Sequence, residues 1–143
     1  MPLRRSACTI ALGLLMTGAT STNILAADEW PDLLGQWSGE SRAVVSAGGD
    51  HYETQEHTDP VFVSQTLMIE WTEQEDGRLI GVITSEQHSE PKMAVIGSDR
   101  KSLSTVDANG SSTGSILDDD SFELCYTQTG PAVVSCVVFT RVR

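Results

Sequence analysis

Positive charge is scarce in this chain: nine Lys and Arg stand against 20 Asp and Glu, a formal net charge of −11 over 143 residues. Such a surface repels phosphate backbones and anionic lipid headgroups, so nucleic-acid and membrane-surface partners are not expected. The same charge speeds encounter with a cationic partner. Long apolar runs are missing as well. No segment reaches the roughly 18–20 continuous apolar residues that a membrane-crossing helix needs. After residue 27 no stretch repeats its apolar residues at 3.6, so helix should be scarce. Two catalytic signatures are absent: no serine sits in a Gly-x-Ser-x-Gly elbow, and no glycine cluster precedes a helix with phosphate-loop spacing. Enzyme activity is therefore not expected, no catalytic residue is assigned, and no cofactor is implied.

What is present begins with an export signal. Arg4 and Arg5 supply a positive start, Ile10 to Met16 the apolar run, and "ILAAD" small residues for cleavage. Cys8 precedes the apolar run, the wrong place for a lipid anchor. Residues 1–27 thus read as a signal peptide and 28–143 as a single domain, periplasmic or secreted. Cleavage would remove two basic residues and no acid, leaving seven against 20, a formal −13. It would also leave two cysteines, Cys125 and Cys136, which in an oxidising compartment read as a disulfide. The stretch "LCYTQTGPAVVSCVV" reads as strand, turn, strand, and a hairpin centred between Gly130 and Pro131 sets the two cysteines opposite one another.

Turn signals recur about every ten residues, the spacing of an all-β domain. Eight strands follow: 35–47, 61–72, 78–87, 92–98, 102–107, 111–117, 121–127 and 133–142. In the second, Val61, Val63, Leu67, Ile69 and Trp71 share a face by period two. Tight turns between neighbours predict an eight-stranded antiparallel up-and-down β-barrel. A β-sandwich is the alternative, but its Greek-key crossings need longer connections.

"LLGQWSG" (33–39) and "GRLIGVITS" (77–85) resemble the Gly-x-Trp first strand and the glycine-bearing third strand of the calycin-like, lipocalin and avidin, barrels. That resemblance implies that Gly35, Trp37 and Gly39 are structural residues of the barrel floor. It does not extend to biotin contacts, because no row of tryptophans follows the third strand. The chain also resembles small exported bacterial proteins of unassigned function.

One connection is long, residues 46–60, and it carries "DHYETQEHTD". Two histidines and four carboxylates invite a metal reading, but the spacing matches no helical i, i+4 pair, and four converging ligands are not evident within it. "SAGG" before it and "TDP" after it are loop signals. The expectation is a solvated connection or a lid carrying His51, Tyr52 and His57, with no metal site. "DANG" (107–110) and "LDDD" (117–120) read as turns. Arg42 falls opposite Trp37 by period two and should face outward. Phe62, Met68, Trp71, Met93 and Phe122 are the large candidates for lining the bore. Together these point to a binding module that holds a small apolar ligand; the alternative is a periplasmic inhibitor of a protease or lysozyme, whose basic enzyme partner would suit the negative charge.

Overall fold

The computed structural model describes residues 29–46, 51–52 and 59–143. Its eight strands are β1 (Gly35–Val45), β2 (Val61–Glu75), β3 (Arg78–Thr84), β4 (Ser89–Ile96), β5 (Ser102–Val106), β6 (Ser111–Asp118), β7 (Ser121–Thr129) and β8 (Ala132–Arg141). Each pairs antiparallel with the next, and β8 returns to β1, so the sheet closes into an up-and-down barrel rather than a sandwich. Closure leaves no strand at the edge of an open sheet among the described residues. The local causes are those of simple strand chemistry. β4 and β5 alternate buried and exposed residues without a break, and Asp76-Gly77, both at positive φ, form the tight turn that joins β2 to β3.

The two ends of the barrel are built differently. At the floor, Trp37, Trp71, Leu79, Ile96, Leu103, Phe122 and Phe139 fill the interior. The Trp37 and Phe122 rings lie 4.8 Å apart and Phe122 and Phe139 5.3 Å apart. The segment before β1 closes this end. Trp37 Nε1 donates to the Leu33 carbonyl at 2.8 Å, while Gln74 accepts from the Leu33 amide and donates to the Pro31 carbonyl. The Arg141 guanidinium lies 4.2 Å from the Trp37 ring centroid and donates to the Leu34 and Asp32 carbonyls. Gly35 opens β1 at φ 106°, a conformation that side chains disfavour. Gly39 lies further up the strand than the floor: a Cβ there would stand 2.4 Å from the Val138 carbonyl oxygen, so this glycine lets β1 and β8 meet.

Three of the expected bore residues face outward. β2 turns Leu67, Ile69 and Trp71 inward, which puts Phe62 and Met68 outside, the former 91% exposed. Met93 is outside because Lys92, Ala94 and Ile96 take the interior face of β4, in a register set by Leu79↔Ala94 and Leu103↔Ile96. On the outer face Met93 pairs with Ile80 and Val106. Trp71 and Phe122 are interior, and Arg42 is exposed. Cys125 and Cys136 are register partners on the outside of β7 and β8 and form a disulfide, Cα atoms 4.0 Å apart. A cross-strand disulfide fits a non-reducing compartment. Among the described residues no helix is long and apolar enough to cross a membrane.

Candidate functional site at the barrel mouth

The connections after β1, β3, β5 and β7 gather at the end opposite the floor, and there the interior becomes polar. Ser41, Glu90, Lys92, Thr105, Ser112 and Ser135 are all buried. Strand alternation places them: Glu90 and Lys92 precede Ala94 and Ile96 by steps of two, as Thr105 follows Leu103.

Lys92 and Asp107 form the charged centre of this region. Lys92 Nζ lies 2.8 Å from Asp107 Oδ2, and the two side chains are 1% and 2% exposed. Asp107 Oδ1 accepts the Asn109 and Gly110 amides, so one carboxylate both closes the β5–β6 turn and reaches into the barrel. Burial pushes the Asp107 carboxyl up, but the Lys92 ammonium and the turn amides outweigh it and hold the group below its ordinary value. The Tyr126 hydroxyl stands 3.2 Å from Asp107 Oδ1 and 2.9 Å from Gln128 Oε1, donating its single proton to one of them at a time. Burial and then the Asp107 charge push that phenol well above its usual range.

Next to this pair, His51 reaches in from the long connection and meets the start of β4. His51 Nε2 lies 3.0 Å from Glu90 Oε1, and Nδ1 lies 3.1 Å from Ser85 Oγ. His88 Nε2 lies 3.9 Å from Glu90 Oε2, and the two imidazoles meet edge to face with centroids 5.0 Å apart. Burial pushes the His51 imidazole below its ordinary value, against the raising effect of Glu90. Tyr52 follows His51 into the mouth, where its hydroxyl pairs with Ser41 Oγ at 2.9 Å and its ring packs with Ala43, Val45 and Val133. A solvated connection or a lid was expected at both residues; Tyr52 is buried and the His51 side chain is 13% exposed, which speaks against a solvated connection at these two positions. His57 lies outside the described residues.

Ser85, His51 and Glu90 stand in the donor order of a nucleophilic triad. Ser85 Oγ, however, caps its own turn, accepting the Gln87 and His88 amides, and it does not line the cavity. Its chemistry here is to orient the His51 ring. The cavity beneath the mouth has about 30 Å³ of free space, bounded by His51, Tyr52, Lys92, Asp107 and Tyr126 above and by Leu67, Ile83, Leu124, Val137 and Phe139 below. That is room for one or two waters, well short of the roughly 150 Å³ that admits a benzene.

Glu90, Lys92, Asp107, Tyr126 and His88 were not singled out from the sequence. The signal that finds the first two is "HSEPK": His88, Glu90 and Lys92 recur at period two, which on a strand puts all three on one face. Asp107 continues the Leu103, Thr105 face in the same way. Comparison with family models, with curated proteins and with solved structures found no match to the chain.

Proposed function

We propose that this protein is an exported binding module whose binding end is the mouth of the barrel, and that it takes a small polar ligand there. The observation that carries this reading is Glu90 Oε2: a buried acceptor with no hydrogen-bond partner among the described residues, at the end of the bore that His51 and Tyr52 enter. Buried acceptors are costly when unpaired, so a group that supplies the missing donor or charge binds favourably there. The aromatic packing that fills the lower bore and the small cavity beneath the mouth favour a polar ligand at the mouth over an apolar one deep in the bore. Export is supported by the disulfide and by the signal-like first 27 residues. The outer face carries the charged Glu40, Arg42 and Glu70 among its apolar residues, which favours a barrel in water over one in lipid.

Native mass spectrometry of protein purified from the envelope of its producing cells tests this. The wild type should carry a small adduct that denaturation releases and that Glu90→Gln loses. A wild type without adduct, whose melting temperature no small polar compound raises, would overturn the reading. A retained basic protein would replace it with the inhibitor alternative.

A further inference from the structure

From the convergence of His51, His88 and Glu90 we infer that the mouth holds one divalent transition-metal ion of the zinc class. The inference rests on the mouth being the binding end and names the ligand it takes. One donor atom from each of the three residues lies within 4.8 Å of the others. Donors around a four-coordinate zinc stand roughly 3.3 Å apart, given metal–ligand bonds of about 2.0–2.1 Å. His51 Nε2 stands 3.0 Å from Glu90 Oε1, at that scale, while His88 Nε2 approaches the other oxygen, Oε2, at 3.9 Å, so the three donors must draw closer to share one ion. His88 is the residue that must move. It sits at the end of the Ser85–His88 turn with its side chain 36% exposed, so a small rotation brings Nε2 inward.

Three features distinguish this set from a chance grouping of polar side chains. Glu90 is 6% exposed, its Oε1 meets His51, and its Oε2, 3.9 Å from His88 Nε2, has no hydrogen-bond partner among the described residues. His51 has an outer partner: Ser85 Oγ lies 3.1 Å from Nδ1 and holds the ring with Nε2 toward Glu90. His51 Nε2 already faces Glu90 Oε1 at 3.0 Å, so at His51 binding requires only that this nitrogen be unprotonated, while His88 rotates inward. Third, the donors are two nitrogens and one carboxylate, the set that suits zinc and its first-row neighbours over calcium or magnesium, which take oxygen ligands. Two neutral imidazoles and one carboxylate leave the bound ion with a net charge of +1 and a fourth position for water or an anion.

The test uses the full exported protein, stripped with chelator and titrated with zinc in competition with an indicator dye, and then with cobalt for its visible spectrum. The wild type should take one equivalent of zinc and give the cobalt bands of a four-coordinate nitrogen and oxygen site. His88→Ala and the isosteric Glu90→Gln should each weaken zinc binding by more than the roughly 10–100-fold that loss of an outer-shell partner costs, while Ser85→Ala should fall within that range. Near-ultraviolet circular dichroism from Trp37 and Trp71 reports that each variant is folded. Absence of stoichiometric binding in the wild type overturns the inference, as does binding that survives in folded His88→Ala and Glu90→Gln, or binding that depends on His57 and not on His88. A wild type that takes no zinc yet retains an organic adduct refutes the metal and leaves the mouth-binding reading standing.

Discussion

Replacing Lys92 by Met and Asp107 by Asn, singly and together, probes the charged pair under the mouth. Both side chains are almost wholly buried, at 1% and 2% exposure, with 2.8 Å between Nζ and Oδ2. Removing one member of such a pair costs roughly 3–5 kcal/mol, because the other is left as an uncompensated buried charge. Lys92→Met belongs at the lower end, about 3 kcal/mol. Met fills most of the lysine stem, and Asp107 keeps the Asn109 and Gly110 amides and the Tyr126 hydroxyl as partners. Asp107→Asn belongs higher, about 4 kcal/mol: the amide oxygen can still cap the turn, but the ammonium loses its counter-charge at 2.8 Å and retains the Tyr126 ring at 5.6 Å. The double variant puts neutral groups of similar size in the same space, and such replacements are often neutral or stabilising. It should cost no more than about 2 kcal/mol, far below the roughly 7 kcal/mol sum of the singles. Urea unfolding midpoints, read with m-values of about 1–3 kcal/mol/M, resolve differences of this size. If Asp107→Asn alone fails to fold while the double variant folds, the coupling is shown all the same. Additive costs in the double variant would refute the reasoning, since they would mean that the two charges do not depend on one another.

Trp37→Ala should cost about 3–5 kcal/mol by emptying the floor and releasing both the Leu33 carbonyl and the stacked Arg141, and an unfolding midpoint equal to that of the wild type would show the ring is dispensable. Burial lowers the His51 pKa in the folded state, so the unfolded chain binds more protons below its ordinary value of about 6.5. The stability linked to His51 is therefore complete above about pH 6.5 and falls as pH drops toward the depressed folded value. His51→Gln removes that slope, and urea midpoints that change equally in wild type and variant between pH 7.5 and pH 5.5 would contradict it.

The strands were legible because each carries its own alternation and is bounded by its own turn residues. Asp76-Gly77 and the period-two face of Leu67, Ile69 and Trp71 need no knowledge of distant neighbours. The interior of β4 was not legible in this way. Read locally, Met93 and Val95 look like its buried face, but pairing with β3 and β5 gives that face to Glu90, Lys92, Ala94 and Ile96. The two charged residues are accommodated because Asp107 and His51 arrive from other connections to meet them. Such a site is assembled across the barrel end, from residues 39 positions apart in the case of His51 and Glu90, and no single stretch of sequence contains it. "DHYETQEHTD" was the right place to look for one histidine and the wrong place to look for its partners.

The closure of β1 against β8 also decides where the chain can be held. Trp37 is a register partner of Arg141, and Arg141 reaches the Asp32 and Leu34 carbonyls, so the residues just before β1 and just after β8 leave the barrel together, behind the aromatic floor. The mouth faces the other way. A tag, a surface or a fused protein joined after Arg143 sits at the back of the molecule, and an immobilised barrel presents its polar end outward to whatever it meets.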